Sequence, residues 1–335
     1  MLQKETNPTT LLTGFLGAGK TSLLNHLISS NPDKRYAVIE NEFGKENIDS
    51  DLVLRGESDI IELNDGCLCC TLNDNLYEIL NDLYDQRGEF DELIIEATGV
   101  ADPVGLAAPF MVHPGVKKQF PLTKIICVVD CEQIEDFLVE TEEAMRQIAY
   151  ADMIVLNKLD LVSDSYIETL CSLMRRSNPL AQVVRGIQAV SQFLLKEDRP
   201  IEQILRAAAA EQGSMDQFPL ESAPQQYPHR HTSALESLAL KFTKPFSSKE
   251  LQHRLLVFLT FQAKDIFRMK GIIDVENSKE RLIVQSVGKR FSIDVGRPWL
   301  DEERKSTIVF IGKELDQRKV ALRRMLETCL APKTT

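Results

Sequence analysis

The sequence lacks several features that mark whole classes of protein. Its 335 residues include no apolar stretch long enough to cross a bilayer, and the first residues, MLQKETNPTT, contain no apolar run typical of a signal peptide. Basic residues are in the minority, 39 Lys and Arg against 50 Asp and Glu, which gives a net charge of −11. This balance disfavours broad binding to nucleic acids or anionic membranes. We therefore expect a cytoplasmic protein with neither of these partners.

Cysteine is scarce, and its placement is uneven. Of the seven cysteines, three fall within four positions of the segment LNDGCLCC, at Cys67, Cys69 and Cys70. In a reducing cytosol such a cluster indicates a metal or redox site more often than a disulfide framework. The remaining four lie on strand-like or helix-like segments, where cysteine commonly packs as a small apolar side chain: Cys127, Cys131, Cys171 and Cys329.

The first part of the chain alternates short apolar runs with helical patterns. Between residues 8 and 190 the apolar runs, rich in Val, Ile and Leu, show no clear polar alternation, which is typical of strands covered on both faces. We therefore predict an α/β fold with a doubly wound, mostly parallel sheet. The predicted strands are TTLLT, YAVIE, DIIEL, ELIIEA, KIICVVD and DMIVLN, and the predicted helices are Lys20–Ser30, Leu72–Arg87, Ile134–Ala149 and Ser165–Ser177.

A polar, proline-bearing stretch separates this region from a second pattern. We place the first domain at residues 1–211, a linker at 212–232 and a smaller α+β domain at 233–335. The last domain is predicted to contain the strands SLALKF, DIFRMKGIID, RLIVQSV, RFSIDV and STIVFIG, and the helices Lys249–Phe261 and Gln317–Cys329.

The segment GFLGAGKT has the spacing of a phosphate-binding loop. It follows an apolar strand and opens an amphipathic helix, as such a loop requires. Its glycines let backbone N–H groups face phosphate, Lys20 is expected to reach the β and γ phosphates, and the Thr21 hydroxyl is expected to bind Mg²⁺. A glycine-rich turn without a ligand is the alternative. The predicted nucleotide-binding residues here are Gly14, Gly17, Ala18, Gly19, Lys20, Thr21 and Ser22.

The segment NKLD follows the apolar strand DMIVL and predicts the choice of base. The Asp160 carboxylate can accept two hydrogen bonds from the N1–H and the exocyclic amine of guanine, a donor pair that adenine does not offer. The Lys158 stem can cover the face of the ring. We therefore predict that Asn157, Lys158 and Asp160 recognise guanine, against the alternative of a polar turn.

The segment LIIEATG is predicted to lie on the magnesium side of the nucleotide. Glu96 ends an apolar strand and could hold Mg²⁺ directly or through water, as an acidic residue does in other phosphate-loop enzymes. Thr98 and Gly99 form a turn whose N–H could sense a γ-phosphate. The alternative is a carboxylate that caps the next segment. Asp130, after KIICVV, has the same two interpretations.

These segments, taken in order, resemble the CobW family of GTPases. The resemblance is carried by GFLGAGKT, ENEFG, GCLCC, EATGVADP and NKLD, and in the second domain by HRHTSALESLAL, RMKGI, RPW and STIVFIG. It implies a GTP-hydrolysing domain with a smaller C-terminal domain, acting as a metallochaperone or metal-insertion factor. Zinc is the commonest metal in this family, cobalt belongs to its cobalamin branch, and related GTPases insert nickel. This chain looks most like the general zinc-binding members.

The Cys-x-Cys-Cys motif supplies at most three thiolates, so a closed tetrahedral zinc site needs a fourth ligand. An open or shared coordination sphere suits a protein that passes its metal on. The family pattern implies Glu40 and His113 as further ligands, and an ordinary surface residue is the alternative for each. Many members carry an acidic residue where this chain has Lys45, so a second metal site there is not expected. His229 and His231 can hold metal only weakly.

The resemblance also places Asp49, in ENIDSDL, in a segment that behaves like a switch loop. There it would orient the attacking water or contact Mg²⁺. No glutamine follows a D-x-x-G motif in the Ras-type position, so intrinsic hydrolysis should be slow. The predicted catalytic residues are Lys20, Glu96 and Asp49.

The leading hypothesis is a metal-regulated GTPase that delivers zinc. Its cofactors are GTP or GDP with Mg²⁺, and Zn²⁺, with Co²⁺ and Ni²⁺ as alternatives because thiolate-rich sites accept each of them. Its partners are an unidentified client metalloprotein and, with no sequence feature to decide it, a second copy in a homodimer. Two other classes stay open: a GTP-dependent regulatory interaction module whose cysteines hold a structural metal, and an ATP-using phosphotransferase, against which NKLD argues.

Overall fold

The computed structural model describes residues 6–40, 61–62, 72–99, 101–194, 200–214 and 235–332. The chain divides into two compact units, one within Met1–Cys171 and Ala181–Glu197, the other within Ser172–Leu180 and Asp198–Thr335. No helix in the described ranges is long and apolar enough to cross a membrane.

The first unit is built on a parallel sheet. Seven of the described strands form it, in the spatial order β3-β2-β4-β1-β5-β6-β7, and every pairing is parallel. The strands are β1 (Thr9–Gly14), β2 (Tyr36–Glu40), β3 (Ile61–Glu62), β4 (Glu92–Glu96), β5 (Leu122–Asp130), β6 (Met153–Asn157) and β7 (Gln182–Arg185). All six residues of β1 are buried, as expected for a central strand covered by helices on both faces.

Helices connect these strands and cover the sheet. The helices are α1 (Lys20–Ser29), α2 (Leu72–Asp85), α3 (Pro103–Val112), α4 (Pro114–Gln119), α5 (Ile134–Glu140), α6 (Glu142–Tyr150), α7 (Asp164–Ser177) and α8 (Val190–Leu194), with short 3₁₀ turns at Leu159–Leu161 and Ile187–Ala189. The chain leaves β1 toward β2 on one side and later passes to β5 on the other, so the winding direction changes at β1. In such sheets ligands bind outside the carboxyl ends of the strands at this switch point.

The expectation of one helix over Ile134–Ala149 is wrong. Thr141 adopts an extended conformation with φ −133° and ψ 138°, and its hydroxyl accepts a hydrogen bond from the N–H of Ala144 at 3.3 Å. The residue therefore ends α5 and caps the start of α6. Helix-like patterns on both sides of Thr141 suggested one continuous helix, although a threonine followed by Glu142 and Glu143 is a cap that competes with helix continuation.

The second unit has an antiparallel sheet. Five of the described strands form it, in the spatial order β11-β10-β9-β12-β8. They are β8 (Glu236–Phe242), β9 (Ile266–Ile273), β10 (Glu280–Val287), β11 (Arg290–Pro298) and β12 (Ser306–Gly312), and the helices of the unit are α9 (Ile201–Ser214), α10 (Ser248–Phe261) and α11 (Leu315–Glu327). A buried cluster between the sheet and α10 and α11 forms its core. The linker predicted at 212–232 lies largely outside the described residues, so its bounds stay predictions.

The RPW segment has a structural role in this unit. The Arg281 guanidinium lies 4.4 Å from the Trp299 ring and donates to the carbonyl oxygens of Arg297 and Pro298 at 3.1 Å each. It also pairs with Glu202 of α9 at 2.5 Å. Because the Arg281 side chain is fully buried, these partners compensate for the loss of water around its charge.

Candidate nucleotide and metal site

The phosphate-loop motif joins the carboxyl end of β1 to the start of α1. Gly14, Gly17 and Gly19 have φ values of 137°, 73° and 102°, a region that favours glycine. At Gly14 a side chain is excluded as well, because a Cβ would lie 2.2 Å from the carbonyl oxygen of Val128. The loop thus takes a backbone course that other residues would strain, at the N-terminus of a helix, where anions are favoured.

Lys20 is folded against this loop. Only 7% of the residue is exposed, and its Nζ donates to the carbonyl oxygens of Gly14 and Phe15 at 3.1 Å each. The ammonium group is therefore held beside the backbone that is expected to surround phosphate. Ala18 is fully buried, whereas Thr21 and Ser22 are exposed at the start of α1.

Three of the predicted metal-binding side chains lie at neighbouring strand and helix ends. The Thr21 hydroxyl donates to Glu96 Oε1 at 2.8 Å. Glu40, the last residue of β2, is the register partner of Glu96, the last residue of β4. Adjacent strands are about 4.8 Å apart, so the Cα atoms of these two residues lie side by side at the carboxyl ends of their strands. A hydroxyl and carboxylates are the oxygen ligands that Mg²⁺ prefers in proteins.

The base-recognition segment is tied to the phosphate loop. The Asn157 side-chain amide donates to the carbonyl oxygen of Ala18 at 2.8 Å. A Cβ on Gly19 would lie 2.3 Å from the same amide nitrogen, so the two segments can approach this closely only at a glycine. Lys158 takes the left-handed conformation with φ 57°, and Asp160 follows in the 3₁₀ turn with an exposed carboxylate.

Asp130 contacts this segment from the end of β5. Its Oδ2 accepts a hydrogen bond from Lys158 Nζ at 2.7 Å, and its Oδ1 accepts one from the N–H of Glu132 at 3.0 Å. The side chain is 2% exposed. Asp130 therefore caps the turn before α5, as one of its two predicted interpretations states, and it also pairs with the lysine of NKLD.

The EATG turn lies in close contact with the phosphate loop on one side and is hydrogen-bonded by a helix side chain on the other. A Cβ on Gly99 would lie 2.4 Å from the backbone nitrogen of Leu16. On the other side, the buried Gln147 of α6 donates to the carbonyl oxygens of Gly99 at 3.1 Å and Ala101 at 3.4 Å. Gln147 is not among the residues predicted from the sequence. Its available signal was an amide placed among the apolar residues of the amphipathic helix α6.

His113 lies between α3 and α4 and is exposed. Its Nδ1 accepts a hydrogen bond from the N–H of Val116 at 3.2 Å, which caps α4, and its ring lies 5.4 Å from that of Tyr77 on α2. A neutral imidazole that accepts at Nδ1 carries its proton on Nε2. A metal bound at Nε2 would require that proton to move, so metal binding and this cap compete. The ligand role of His113 stays a prediction.

Several predicted site residues fall outside the described ranges, namely Asp49, Cys67, Cys69, Cys70, His229 and His231, and so does Lys45. Within the ranges that the structure describes, no group of three or more His, Cys, Asp or Glu side chains is arranged to hold a metal ion. The four described cysteines are buried and unbridged. Burial raises the pKa of the Cys127 thiol to about 12, which is unsuited to a metal-binding thiolate.

Comparison with known proteins relates both units to one family. The family model described as "CobW/HypB/UreG, nucleotide-binding domain" matches residues 8–185, and the one described as "Cobalamin synthesis protein cobW C-terminal domain" matches residues 235–330. The chain is 32% identical over 323 residues to the zinc chaperone YjiA of Escherichia coli, covering 93% of this chain and 95% of that protein.

Two further comparisons span most of the chain. A relative from Schizosaccharomyces pombe, named zinc-regulated GTPase metalloprotein activator 1, is 30% identical over 340 residues, which cover 92% of this chain and 82% of that protein. The crystal structure of Zn(II)-bound YjiA GTPase from E. coli superposes with a TM-score of 0.66 at 28% identity, covering 98% of this chain and 100% of that chain.

Proposed function

Because this chain belongs to the CobW family, whose models match both of its units, we propose that it is a GTP-hydrolysing metallochaperone that carries zinc and transfers it to a client metalloprotein. The observation that carries the proposal is the register of two strand ends. Glu40, a proposed cargo ligand, lies beside Glu96, which contacts the Thr21 hydroxyl of the phosphate loop. One end of the sheet then serves both the nucleotide and the metal.

The nucleotide is bound by elements at the carboxyl ends of β1, β4 and β6. The backbone N–H groups of residues 14–21 surround the phosphates, and Lys20 turns from the loop carbonyls to the β and γ phosphate oxygens. Asp160 selects guanine, and Asn157 fixes the base-recognition segment to the phosphate loop through Ala18. These assignments fit the exposure of Asp160 at the rim of the site.

Thr21 and Glu96 fit a magnesium ion, because their oxygens already lie 2.8 Å apart at the start of α1. When bound with GTP, Mg²⁺ would neutralise the charge that develops on the phosphates. The chain itself supplies the positioned ammonium of Lys20 and the turn at Gly99, whose backbone N–H senses the γ-phosphate. Asp49 orients the attacking water. No Ras-type glutamine accompanies these groups, so intrinsic turnover is slow.

Zinc is the cargo and is bound as a substrate by Cys67, Cys69 and Cys70 with Glu40. Three thiolates and one carboxylate fill a tetrahedral sphere with ligands that zinc accepts. The fourth ligand, a carboxylate from a different part of the chain, is the one that a competing client could displace first. The relatives named zinc chaperone support zinc ahead of cobalt or nickel.

Nucleotide and cargo are coupled because the Glu40 and Glu96 carboxylates are neighbours of like charge. A cation bound by one alters the electrostatic potential at the other, and the strand that carries Glu40 pairs directly with the strand that carries Glu96. By linkage, zinc must then change GTP affinity by the same factor as GTP changes zinc affinity, whereas effects on the rate of hydrolysis need not be symmetric.

The test is a paired zinc titration with and without a non-hydrolysable GTP analogue. Wild type should bind one zinc ion, with affinity that falls as the pH drops because the thiols must deprotonate. Nucleotide should shift this affinity by about fivefold or more. A triple variant with serine at Cys67, Cys69 and Cys70 should lose tight zinc binding, and Glu40→Gln should retain zinc but lose most of the nucleotide dependence.

One control variant and two possible outcomes sharpen the result. His113→Asn keeps a side-chain acceptor for the cap of α4 and removes the imidazole, so a drop in zinc affinity would identify His113 as a ligand. Unchanged zinc binding in the triple variant would move the site elsewhere, with His229 and His231 as the next candidates. A zinc affinity that is the same with and without nucleotide would rule out the delivery mechanism and favour a regulatory module with a structural metal.

A further inference from the structure

Asp130 lies beside the base-recognition segment and pairs with its Lys158, without itself belonging to the residues predicted to contact guanine. Lys158 is one-third exposed, whereas the Asp130 carboxylate is almost completely buried. The backbone reinforces the contact, since the N–H of Cys131 donates to the carbonyl oxygen of Asn157 at 3.2 Å. The end of β5 is therefore attached to the end of β6 by one ion pair and one backbone hydrogen bond.

We propose that Asp130 is a positioning residue for base binding, which holds the Lys158 stem in the conformation that covers the purine ring. This inference rests on the proposed nucleotide site and adds to it a residue on a different strand. Asp130 touches no nucleotide atom in this proposal. It acts through Lys158 alone.

A helix-capping role explains the hydrogen bond of only one of the two Asp130 carboxylate oxygens. One oxygen, Oδ1, accepts from the N–H of Glu132, and this bond needs no negative charge. The second oxygen accepts from the Lys158 ammonium at 2.7 Å. A buried carboxylate is costly without a positive partner, so the pair fixes the position of Nζ as well as satisfying Asp130.

Fixing Nζ restricts the four-carbon stem that leads to it. A free lysine must be ordered when a base slides beneath it, and ordering one long side chain costs a factor of about two to ten in affinity. Because Asp130 already holds Nζ, the Lys158 side chain is ordered before the nucleotide binds, and binding does not carry this entropic cost. The left-handed backbone at Lys158 directs the stem from a fixed starting point.

The stem covers a face that all purines share, whereas Asp160 reads the edge that distinguishes guanine. Loss of Asp130 should therefore weaken every purine nucleotide by the same factor and leave base selectivity unchanged. The loss should appear in KM, while kcat at saturating GTP stays within about twofold.

The experiment compares Asp130→Asn with Glu132→Gln, which changes the charge equally two residues away and leaves the pair intact. Binding of fluorescent GDP and of inosine diphosphate is measured for the full-length chain, together with its melting temperature. We expect Asp130→Asn to lower the affinity for both ligands by about two- to tenfold and to leave the ratio of the two affinities unchanged. Glu132→Gln should bind both ligands as wild type does. In a Lys158→Met background, Asp130→Asn should add no further loss.

Two results would overturn the proposal: wild-type affinity in Asp130→Asn, or a loss that persists in the Lys158→Met background. Should Asp130→Asn fail to fold, Lys158→Met alone decides, because the residue is partly exposed and wild-type affinity in this variant would contradict the positioning role. If wild type showed no preference for guanine nucleotides, the proposed function would be refuted instead. The role of Asp130 would still be decided by whether Asp130→Asn weakens both purine ligands by the same factor.

Discussion

Gly99 offers a direct way to separate the EATG turn from the phosphate loop. An alanine Cβ at this position would lie 2.4 Å from the nitrogen and 2.6 Å from the Cα of Leu16, both in the backbone. The φ angle of Gly99 is outside the left-handed region, so alanine can adopt the local conformation. The obstacle is therefore steric, and one of the two segments must give way.

The size of the displacement follows from these distances. Ordinary Cβ contacts begin at 3.4 Å, so the gap must open by about 1 Å. The turn is anchored by Gln147, whereas the Leu16 side chain is 76% exposed and packs little, so the phosphate loop should move. A misplacement of about 1 Å at a catalytic site can cost about 100-fold in rate. Overpacking of this kind costs about 1–3 kcal/mol of stability.

The assay is steady-state GTP hydrolysis of Gly99→Ala beside Gly105→Ala. A Cβ on Gly105 would meet nothing within 4 Å, and the residue lies in the first turn of α3, so this control should keep wild-type turnover. We expect Gly99→Ala to lose about 100-fold in kcat and to weaken GTP more than GDP, because only GTP carries the γ-phosphate. Equal turnover in the two variants would refute the coupling of turn and loop.

Two other predictions concern the base and the buried thiols. Asp160→Asn should lose GTP and gain xanthosine nucleotides, because the amide exchanges an acceptor for a donor; if wild type binds ATP as tightly as GTP, the assignment of NKLD is wrong. Cys127, Cys131, Cys171 and Cys329 should resist Ellman's reagent in the native protein and react on unfolding, since all four are buried and burial raises the pKa of Cys127 to about 12. At pH 8 about one Cys127 thiol in 10⁴ would be ionised. Because burial raises the pKa of Cys127 in the folded state, its contribution to the free energy of unfolding is complete below the unfolded-state pKa and declines as the pH rises toward 12. Fast reaction of all four thiols with Ellman's reagent in the native protein would contradict their burial.

Much of the fold was predictable because its strands are buried on both faces. Uninterrupted apolar runs such as KIICVVD admit few alternatives, and all six runs predicted for the first sheet contain strands. The seventh strand, Gln182–Arg185, was missed because its QVVR sequence is short and half polar. Helices α3 and α4 were also missed. Pro103 and Pro114 occupy helix first turns there, where proline is favoured, yet prolines read along the chain suggest loops.

The chemistry of the site was predictable from the residue types, and its geometry was not. Glycine spacing, Lys20 and NKLD each name a chemical task, and short motifs carry that information locally. The register that places Glu40 beside Glu96 depends on β2 pairing with β4 and not with β1, which is a long-range choice. No local pattern records it. The same applies to the 2.8 Å contact between Asn157 and Ala18, whose partners are 139 residues apart.

Each motif of the nucleotide site is held by a side chain from another element. Asn157 holds the phosphate loop at Ala18, Asp130 holds Lys158, and Gln147 holds the EATG turn at Gly99. These bonds run from buried or half-buried side chains to backbone or to charge, so their loss leaves a polar group without a partner. Motif residues thus supply the reacting groups, while their relative positions are set by residues that a motif search ignores. Substitutions at Gln147 or Asp130 should therefore impair nucleotide use while every motif stays intact.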